Sequence, residues 1–147
     1  MKTLQELQPL IIEWARERNI HLPDCAPKQR LKLIEECGEL ANAILKNDIE
    51  KQKDAIGDIF VVLVILSEQV NDKLDFIFCD DSDFIEGYYE CISVIIECSS
   101  FDISRSMDYL NDVCIYLDLD LADCVNIAWN EIKDRKGTTV NGTFIKE

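Results

Sequence analysis

The fold of this 147-residue chain is decided by the stretch Asp54-Ala55-Ile56-Gly57-Asp58-Ile59-Phe60-Val61-Val62-Leu63-Val64-Ile65-Leu66. Its last eight residues are all apolar, a pattern shared by buried strands and by helices that are covered on most sides. The flanking residues 50–58 and 67–73 carry no turn signals, which favours a single helix over about residues 49–71. Such a helix lies at the centre of a bundle or in a subunit interface, so we expect a homodimer or a higher homo-oligomer.

Helix signals continue on the N-terminal side of this stretch. Thr3 and Glu6 form a capping-box pattern before a first helix, in which Pro9 predicts a kink or a later start. A second helix is expected over about residues 27–46, and Asn47 or Asp48 would cap the third. The apolar positions expected to point inward from the second helix are Leu31, Ile34, Cys37, Ala41 and Ile44.

The C-terminal half predicts three more helices and a hairpin. Helices are expected over about residues 82–99 and 104–117, and Asp120 opens a last helix that Gly137 would end as a C-cap glycine. Residues 138–145 alternate around Asn141-Gly142, the preferred two-residue hairpin turn. The predicted fold class is therefore all-α, a bundle of about five to six helices with a short C-terminal β-hairpin, in one domain spanning residues 1–147.

The charge balance restricts the possible partners. Acidic residues outnumber basic ones by 29 to 15, and the net charge is −14. This balance argues against nucleic acid or an anionic membrane as the main partner. A triphosphate would be repelled as well, unless metal ions offset the charge.

The cysteines favour a reducing compartment. The seven cysteines include no CxxC pair, and His21 is the only histidine, so neither a disulfide framework nor a zinc site is expected. The longest apolar run has eight residues, far short of the roughly 20 that a membrane helix needs. We find no signal peptide and expect a cytoplasmic protein.

Two acidic clusters carry the functional signal. Glu35, Glu36 and Glu39 share one helix face, and Asp54 and Asp58 share a face of the next helix. A glycine lies inside each cluster, as expected where two backbones or a phosphate approach closely. Buried carboxylates need a partner, and a hard cation such as Mg²⁺ is the natural one. The alternative is a solvated acidic face.

These motifs resemble those of the MazG-like nucleotide pyrophosphohydrolases, members of the all-α NTP pyrophosphatase superfamily. Glu35-Glu36-Cys37-Gly38-Glu39 matches the family's first motif, and Gly57-Asp58 matches the end of the second. The tail, residues 128–137 and 140–146, is also similar to phage and bacterial relatives. The resemblance covers about residues 3–70 and 118–147, and it implies that residues 72–117 are an inserted helical pair.

The resemblance implies Mg²⁺-dependent hydrolysis of nucleoside triphosphates to a monophosphate and pyrophosphate, with Mn²⁺ as another possible cofactor. The implied metal ligands are Glu36, Glu39 and Asp58. The family's third glutamate is replaced by Ala55, and Asp54 is the candidate for the missing carboxylate. The candidate general base is Glu35, which is also a candidate ligand of a second metal.

Cationic and aromatic side chains are candidates for substrate binding. They are Asn130, Lys133, Arg135, Lys136 and Trp14. The basic turn equally suits a helix C-terminus, and a tryptophan on an amphipathic stripe is more often part of the core than a partner that stacks on a base. The rival functional interpretation is a non-catalytic nucleotide-binding or interaction protein that lost its activity at Ala55. A phosphoribosyl-ATP or dUTP-specific enzyme is a further alternative.

Overall fold

The computed structural model describes residues 1–78 and 87–147, which form six α-helices and one antiparallel hairpin. This architecture confirms the predicted fold class. A short 3₁₀ turn at Pro23–Cys25 precedes the second helix. The elements are α1 (Leu4–Glu17), α2 (Ala26–Leu45), α3 (Ile49–Gln69), α4 (Tyr88–Cys98), α5 (Ile103–Tyr116), α6 (Leu121–Ile132), β1 (Gly137–Val140) and β2 (Thr143–Lys146).

The apolar helix α3 is the centre of the bundle. It packs against α1, α2, α5 and α6, and its residues Ile59, Phe60 and Leu63 are fully buried. Outside the helices, Phe76 stacks on Phe60 with ring centroids 5.5 Å apart. The predicted position of α3 at the centre of a bundle is therefore confirmed. Since helices of the same chain cover its apolar run, this run does not require a second subunit, and the homo-oligomer stays a prediction.

Side-chain caps fix where the helices begin. Thr3 forms the predicted capping box with Glu6 at the start of α1. Asp48, Asp102 and Asp120 each accept a hydrogen bond from the backbone N–H three residues on, at the starts of α3, α5 and α6. Pro9 lies inside α1, so the predicted later start of this helix is wrong.

Helix α2 is rotated relative to our expectation. Leu31 is 60% exposed and Ile34 is 49% exposed, so the prediction that they point inward is wrong. Cys37 is buried as predicted. The face of α2 that is buried in the bundle carries polar side chains among its apolar ones, and it consists of Ala26, Gln29, Leu33, Glu36, Cys37, Leu40 and Ala43. This rotation turns Glu36 inward.

The C-terminal hairpin follows α6 after a short turn. Helix α6 ends at Ile132, and Gly137 is the first residue of β1, so the predicted C-cap role of Gly137 is wrong. A side chain at position 137 would collide with the Ile145 carbonyl, which explains the glycine. Asn141 and Gly142 form the predicted turn, with φ of 51° and 78°.

The remaining helices form a pair. Helices α4 and α5 pack on each other, α4 also contacts α2, and α5 contacts α3. The predicted start of α4, at residues 82–86, lies outside the described residues, and the insertion of this pair stays a prediction. In residues 1–78 and 87–147 no helix is long and apolar enough to cross a bilayer. Each of the six described cysteines is buried and free.

Candidate active site

A cavity of about 590 Å³ opens between α2, α3, the end of α6 and the hairpin. This volume lies within the range of sites that bind small ligands, about 300–1,000 Å³. Carboxylates and cations both line it, which suits a ligand that carries phosphates together with a cation. The charged lining residues are Glu35, Glu36, Glu39, Asp58, Lys28, Lys32, Arg135 and Lys146.

Glu36 is the most buried of these carboxylates, with 4% of its surface exposed. Its Oε1 lies 2.8 Å from Lys32 Nζ, whereas its buried Oε2 has no hydrogen-bond partner among the described residues. Burial raises the pKa of Glu36, Lys32 lowers it, and Glu39 raises it further. An unpartnered buried carboxylate oxygen is costly, so this atom is a candidate ligand for a cation.

Asp58 lies on α3 and lines the same cavity. Burial raises the pKa of Asp58 to about 7, and the negative charges of Glu36, Asp54 and Glu131 act in the same direction. Arg135 opposes this shift. Several carboxylates from α2, α3 and α6 therefore share one region of negative potential.

Asp54 lies beside this region but does not line the cavity. Burial is the largest cause that raises the pKa of Asp54. The charge of Glu131, a hydrogen bond between Asp54 and Glu131, and the charge of Glu39 raise this pKa further. Glu131 in turn accepts a hydrogen bond from Arg135 at 2.6 Å. Ala55, the position of the missing family glutamate, is only 2% exposed and belongs to the hydrophobic core.

Gly57 brings α3 and α6 into close contact and thereby positions Asp58. A Cβ at position 57 would collide with the Cys124 carbonyl oxygen and would lie 2.8 Å from the Ala128 Cβ. Only a glycine lets the two helices approach this closely. The carboxylates of α3 consequently lie next to Glu131 of α6.

The predicted substrate-binding residues divide into two groups. Arg135 and Trp14 line the cavity, and the Trp14 indole also donates a hydrogen bond to the Ile132 carbonyl at 3.0 Å. Asn130 and Lys133 do not line it and instead bond to each other at 3.1 Å. Lys136 does not line it either.

Sequence reasoning missed several lining residues. Lys32 stands four residues before Glu36, and Gln29 stands seven before it. These spacings place all three side chains on one face of α2, so the sequence pattern could have predicted that they lie together. Lys146 and Phe144 come from the hairpin, and no local pattern connects them to α2. Glu131 was likewise not predicted, because only the packing of α6 on α3 brings it near Asp54.

The donor set fits a hard divalent cation. Carboxylate oxygens are the ligands that Mg²⁺ and Mn²⁺ prefer, and Glu36 supplies one that is buried and unpartnered. Among the described residues, no three His, Cys, Asp or Glu side chains are already grouped as a metal-binding set. Lys32 holds Glu36 in this arrangement, so we expect the ammonium group to give way when a cation binds.

The segment of the chain that matches a known family contains most of α2 and all of α3. Residues 28–82 match the MazG nucleotide pyrophosphohydrolase domain. The resemblance predicted from the two acidic motifs is confirmed for this part of the chain. The MazG match contains the carboxylates of both clusters, but not α6 or the hairpin, which complete the cavity.

A phage protein shares part of the sequence. Over 69 residues the chain is 46% identical to an uncharacterized 18.2 kDa protein, from the rep-hol intergenic region of Haemophilus phage HP1 (strain HP1c1). The matched stretch covers 47% of this chain and 42% of the phage protein, so the chain spans less than half the length of that relative. No solved structure matches the chain significantly.

Proposed function

We propose that the chain hydrolyses ribo- or deoxyribonucleoside triphosphates between the α and β phosphates, with Mg²⁺ or Mn²⁺, to give a nucleoside monophosphate and pyrophosphate. The observation that carries the proposal is the buried, unpartnered Glu36 oxygen in a ligand-sized cavity that Asp58 also lines. The match of this segment to the MazG domain supports the reaction type.

Four carboxylates are proposed to hold the cation. Glu36, Glu39 and Asp58 line the cavity, and Asp54 is the proposed fourth ligand in place of the family glutamate. A divalent cation held there would offset the phosphate charge and supply Lewis acidity toward water. The attraction of each carboxylate to the bound cation would then outweigh the repulsion between the carboxylates.

Glu35 is proposed as the general base. Its side chain is 58% exposed, lines the cavity and lies 3.0 Å from Lys32 Nζ. Water attacks a phosphorus atom next to the α–β bridging oxygen and gives its proton to the Glu35 carboxylate. The bond between that phosphorus and the bridging oxygen breaks at the same time, which separates the nucleoside monophosphate from pyrophosphate.

Cationic side chains are proposed to bind the phosphates. Arg135, Lys28 and Lys146 line the cavity from the turn after α6, from α2 and from the hairpin. They matter because the net charge of −14 otherwise repels a polyanionic substrate. Arg135 already pairs with Glu131, so it is held close to the carboxylates.

The rival function is nucleotide binding without turnover. It is favoured by the replacement of the family glutamate with Ala55, which is packed in the core.

We further propose a homodimer or higher homo-oligomer in the cytoplasm. The buried, free state of the described cysteines agrees with a reducing compartment.

The test is product analysis with a panel of ribo- and deoxynucleoside triphosphates, with Mg²⁺ and with chelator. We expect monophosphate and pyrophosphate in the presence of the metal, and loss of turnover in Glu36→Gln with retained helical circular dichroism. Release of orthophosphate would contradict the proposed cleavage site. Nucleotide binding without any product would favour the non-catalytic function.

A further inference from the structure

The cavity has two chemically different ends. Along α3, Asp58 lies at the charged end, and Val62 and Ile65 line the wall about one and two turns further on. Seven residues of helix correspond to about 10 Å along the axis. Trp14 and Phe144 also line the cavity, with ring centroids 5.4 Å apart. A polar, phosphate-compatible end therefore continues into an apolar end.

This polarity suits a nucleotide in one orientation. With the phosphates at the carboxylates and Lys32, the nucleobase lies about one to two helical turns away, beside Val62 and Ile65 of α3 in the part of the cavity that also contains Phe144. Aliphatic and aromatic walls bind the flat faces of any base. The walls alone do not discriminate between bases.

Gln29 supplies a polar group in this part of the cavity. It lines the cavity, is only 7% exposed, and stands two helical turns before Glu36 on the same face of α2. Its Nε2 donates to the Val62 carbonyl at 3.5 Å, the outer limit of a hydrogen bond. The amide of Gln29 therefore keeps most of its capacity to form hydrogen bonds. The contact with the Val62 carbonyl favours the orientation of the amide in which Nε2 faces that oxygen.

We infer that Gln29 reads the edge of the nucleobase and makes this site base-selective. The inference rests on the proposed function, because it places the phosphates at the carboxylate end. A carboxamide presents one donor and one acceptor side by side, as base edges do. With its orientation biased by Val62, it favours one order of donor and acceptor on the base. A base with the reverse order leaves buried polar groups unpaired, which selects strongly against it.

The experiment measures binding rather than turnover. Uncleavable α,β-imido analogues of the four deoxynucleoside triphosphates are titrated with Mg²⁺ by calorimetry against the wild-type chain and Gln29→Met. We expect the wild type to prefer one base at least about 10-fold. Gln29→Met weakens that analogue by about 10-fold and the others by less than about 2-fold, so the preference disappears.

The matched control is Gln52→Met. Gln52 is also a buried glutamine of the bundle, 6% exposed, whose Nε2 donates to the Ala43 carbonyl at 3.4 Å, but it does not line the cavity. This variant must keep the base preference. Gln29→Asn, which retains the carboxamide, replaces Gln29→Met if the latter loses its helical circular dichroism, and it is expected to reduce the preference.

The outcomes separate this inference from the proposed function. Equal binding of all four analogues by the wild type overturns it, as does an unchanged preference in Gln29→Met or an equal loss in Gln52→Met. Hydrolysis of natural triphosphates without base preference refutes the inference and keeps the enzyme. Base-selective binding without hydrolysis keeps the inference and refutes the enzyme.

Discussion

At the scale of single residues, Asp58 links metal binding to folding. Its pKa is raised to about 7, mainly by burial, so the native state holds the proton more tightly than the unfolded chain. Its stabilising contribution is complete below the unfolded pKa near 4 and is lost as the pH rises through about 7. In chelator, Asp58→Asn should therefore raise the free energy of unfolding at pH 8 by about 1–3 kcal/mol and flatten its decline between pH 5 and 8.

Urea unfolding followed by circular dichroism at pH 5, 6, 7 and 8 measures this effect. The control variant is Asp134→Asn, at an exposed position, which should leave the pH profile unchanged. Mg²⁺ should restore stability at pH 8 in the wild type but not in Asp58→Asn. Equal slopes for the wild type and Asp58→Asn in chelator would show that this carboxylate does not carry the pH dependence.

Glu35 has a different expected signature because it is exposed and is not required to hold the first cation. Glu35→Gln should lower kcat by about 10²-fold and leave Mg²⁺-dependent binding of an uncleavable analogue within about 2-fold of the wild type. Steady-state kinetics and calorimetry measure the two effects separately. An unchanged kcat would assign Glu35 to the solvated surface.

The residues of the acidic clusters were largely predictable, whereas their cationic partners were only partly so. Glu36 and Asp58 stood out because carboxylates next to an apolar run must be partnered. Lys32 was missed although its spacing to Glu36 is a standard helical pair. Lys146 could not be found, because its place in the cavity depends on how the hairpin folds back over α2.

At the scale of helices, Gly57 determines how closely α3 approaches α6. Gly57→Ala places a methyl group against the Cys124 carbonyl oxygen and the Ala128 Cβ, and both belong to well-packed helix. We expect a loss of about 1–3 kcal/mol in the free energy of unfolding, as for other overpacked cores. Turnover should fall as well, because a displaced α3 moves Asp58 relative to the other proposed metal ligands of the cavity.

Gly38→Ala is the matched control for this helix prediction. Gly38 lies inside α2, and a Cβ there meets nothing within 4 Å. The substitution should raise stability by about 0.5–1 kcal/mol, because alanine is the better helix former. Chemical unfolding of both variants measures the difference, and similar stabilities would disprove the close approach at Gly57.

The helices were predictable from their caps and apolar patterns, but the face each one turns inward was less so. Asp120 was correctly predicted to open α6, and Asp48, one of the two candidates for the start of α3, is its N-cap, since a cap needs only local hydrogen bonds. The orientation of α2 was not, because its buried face carries Gln29 and Glu36 while Leu31 and Ile34 are exposed. A ligand-sized cavity places polar groups at positions where the helical pattern predicts aliphatic ones.

At the scale of the whole molecule, α3 is buried within one chain, so a subunit interface would have to use exposed apolar side chains elsewhere. Several lie on α2, and one of them, Leu31, also lines the cavity. Leu31, Ile34 and Leu45 are 60%, 49% and 83% exposed, and their spacing places them within about 60° of the helix circumference. Of the two positions predicted for α3, the centre of a bundle is confirmed, because four other helices of the same chain pack on it.

We expect this face of α2 to pair with a second copy of the chain. Sedimentation equilibrium should show a species of twice the 16.9 kDa chain mass, and Ile34→Glu should convert it to monomer by burying a charge without a partner. Ile115→Glu is the control, since Ile115 is 58% exposed on α5, away from this face. A monomeric wild type, or dissociation by Ile115→Glu alone, would rule out the α2 interface. Added salt should strengthen the pairing, because two chains of charge −14 repel each other less when screened.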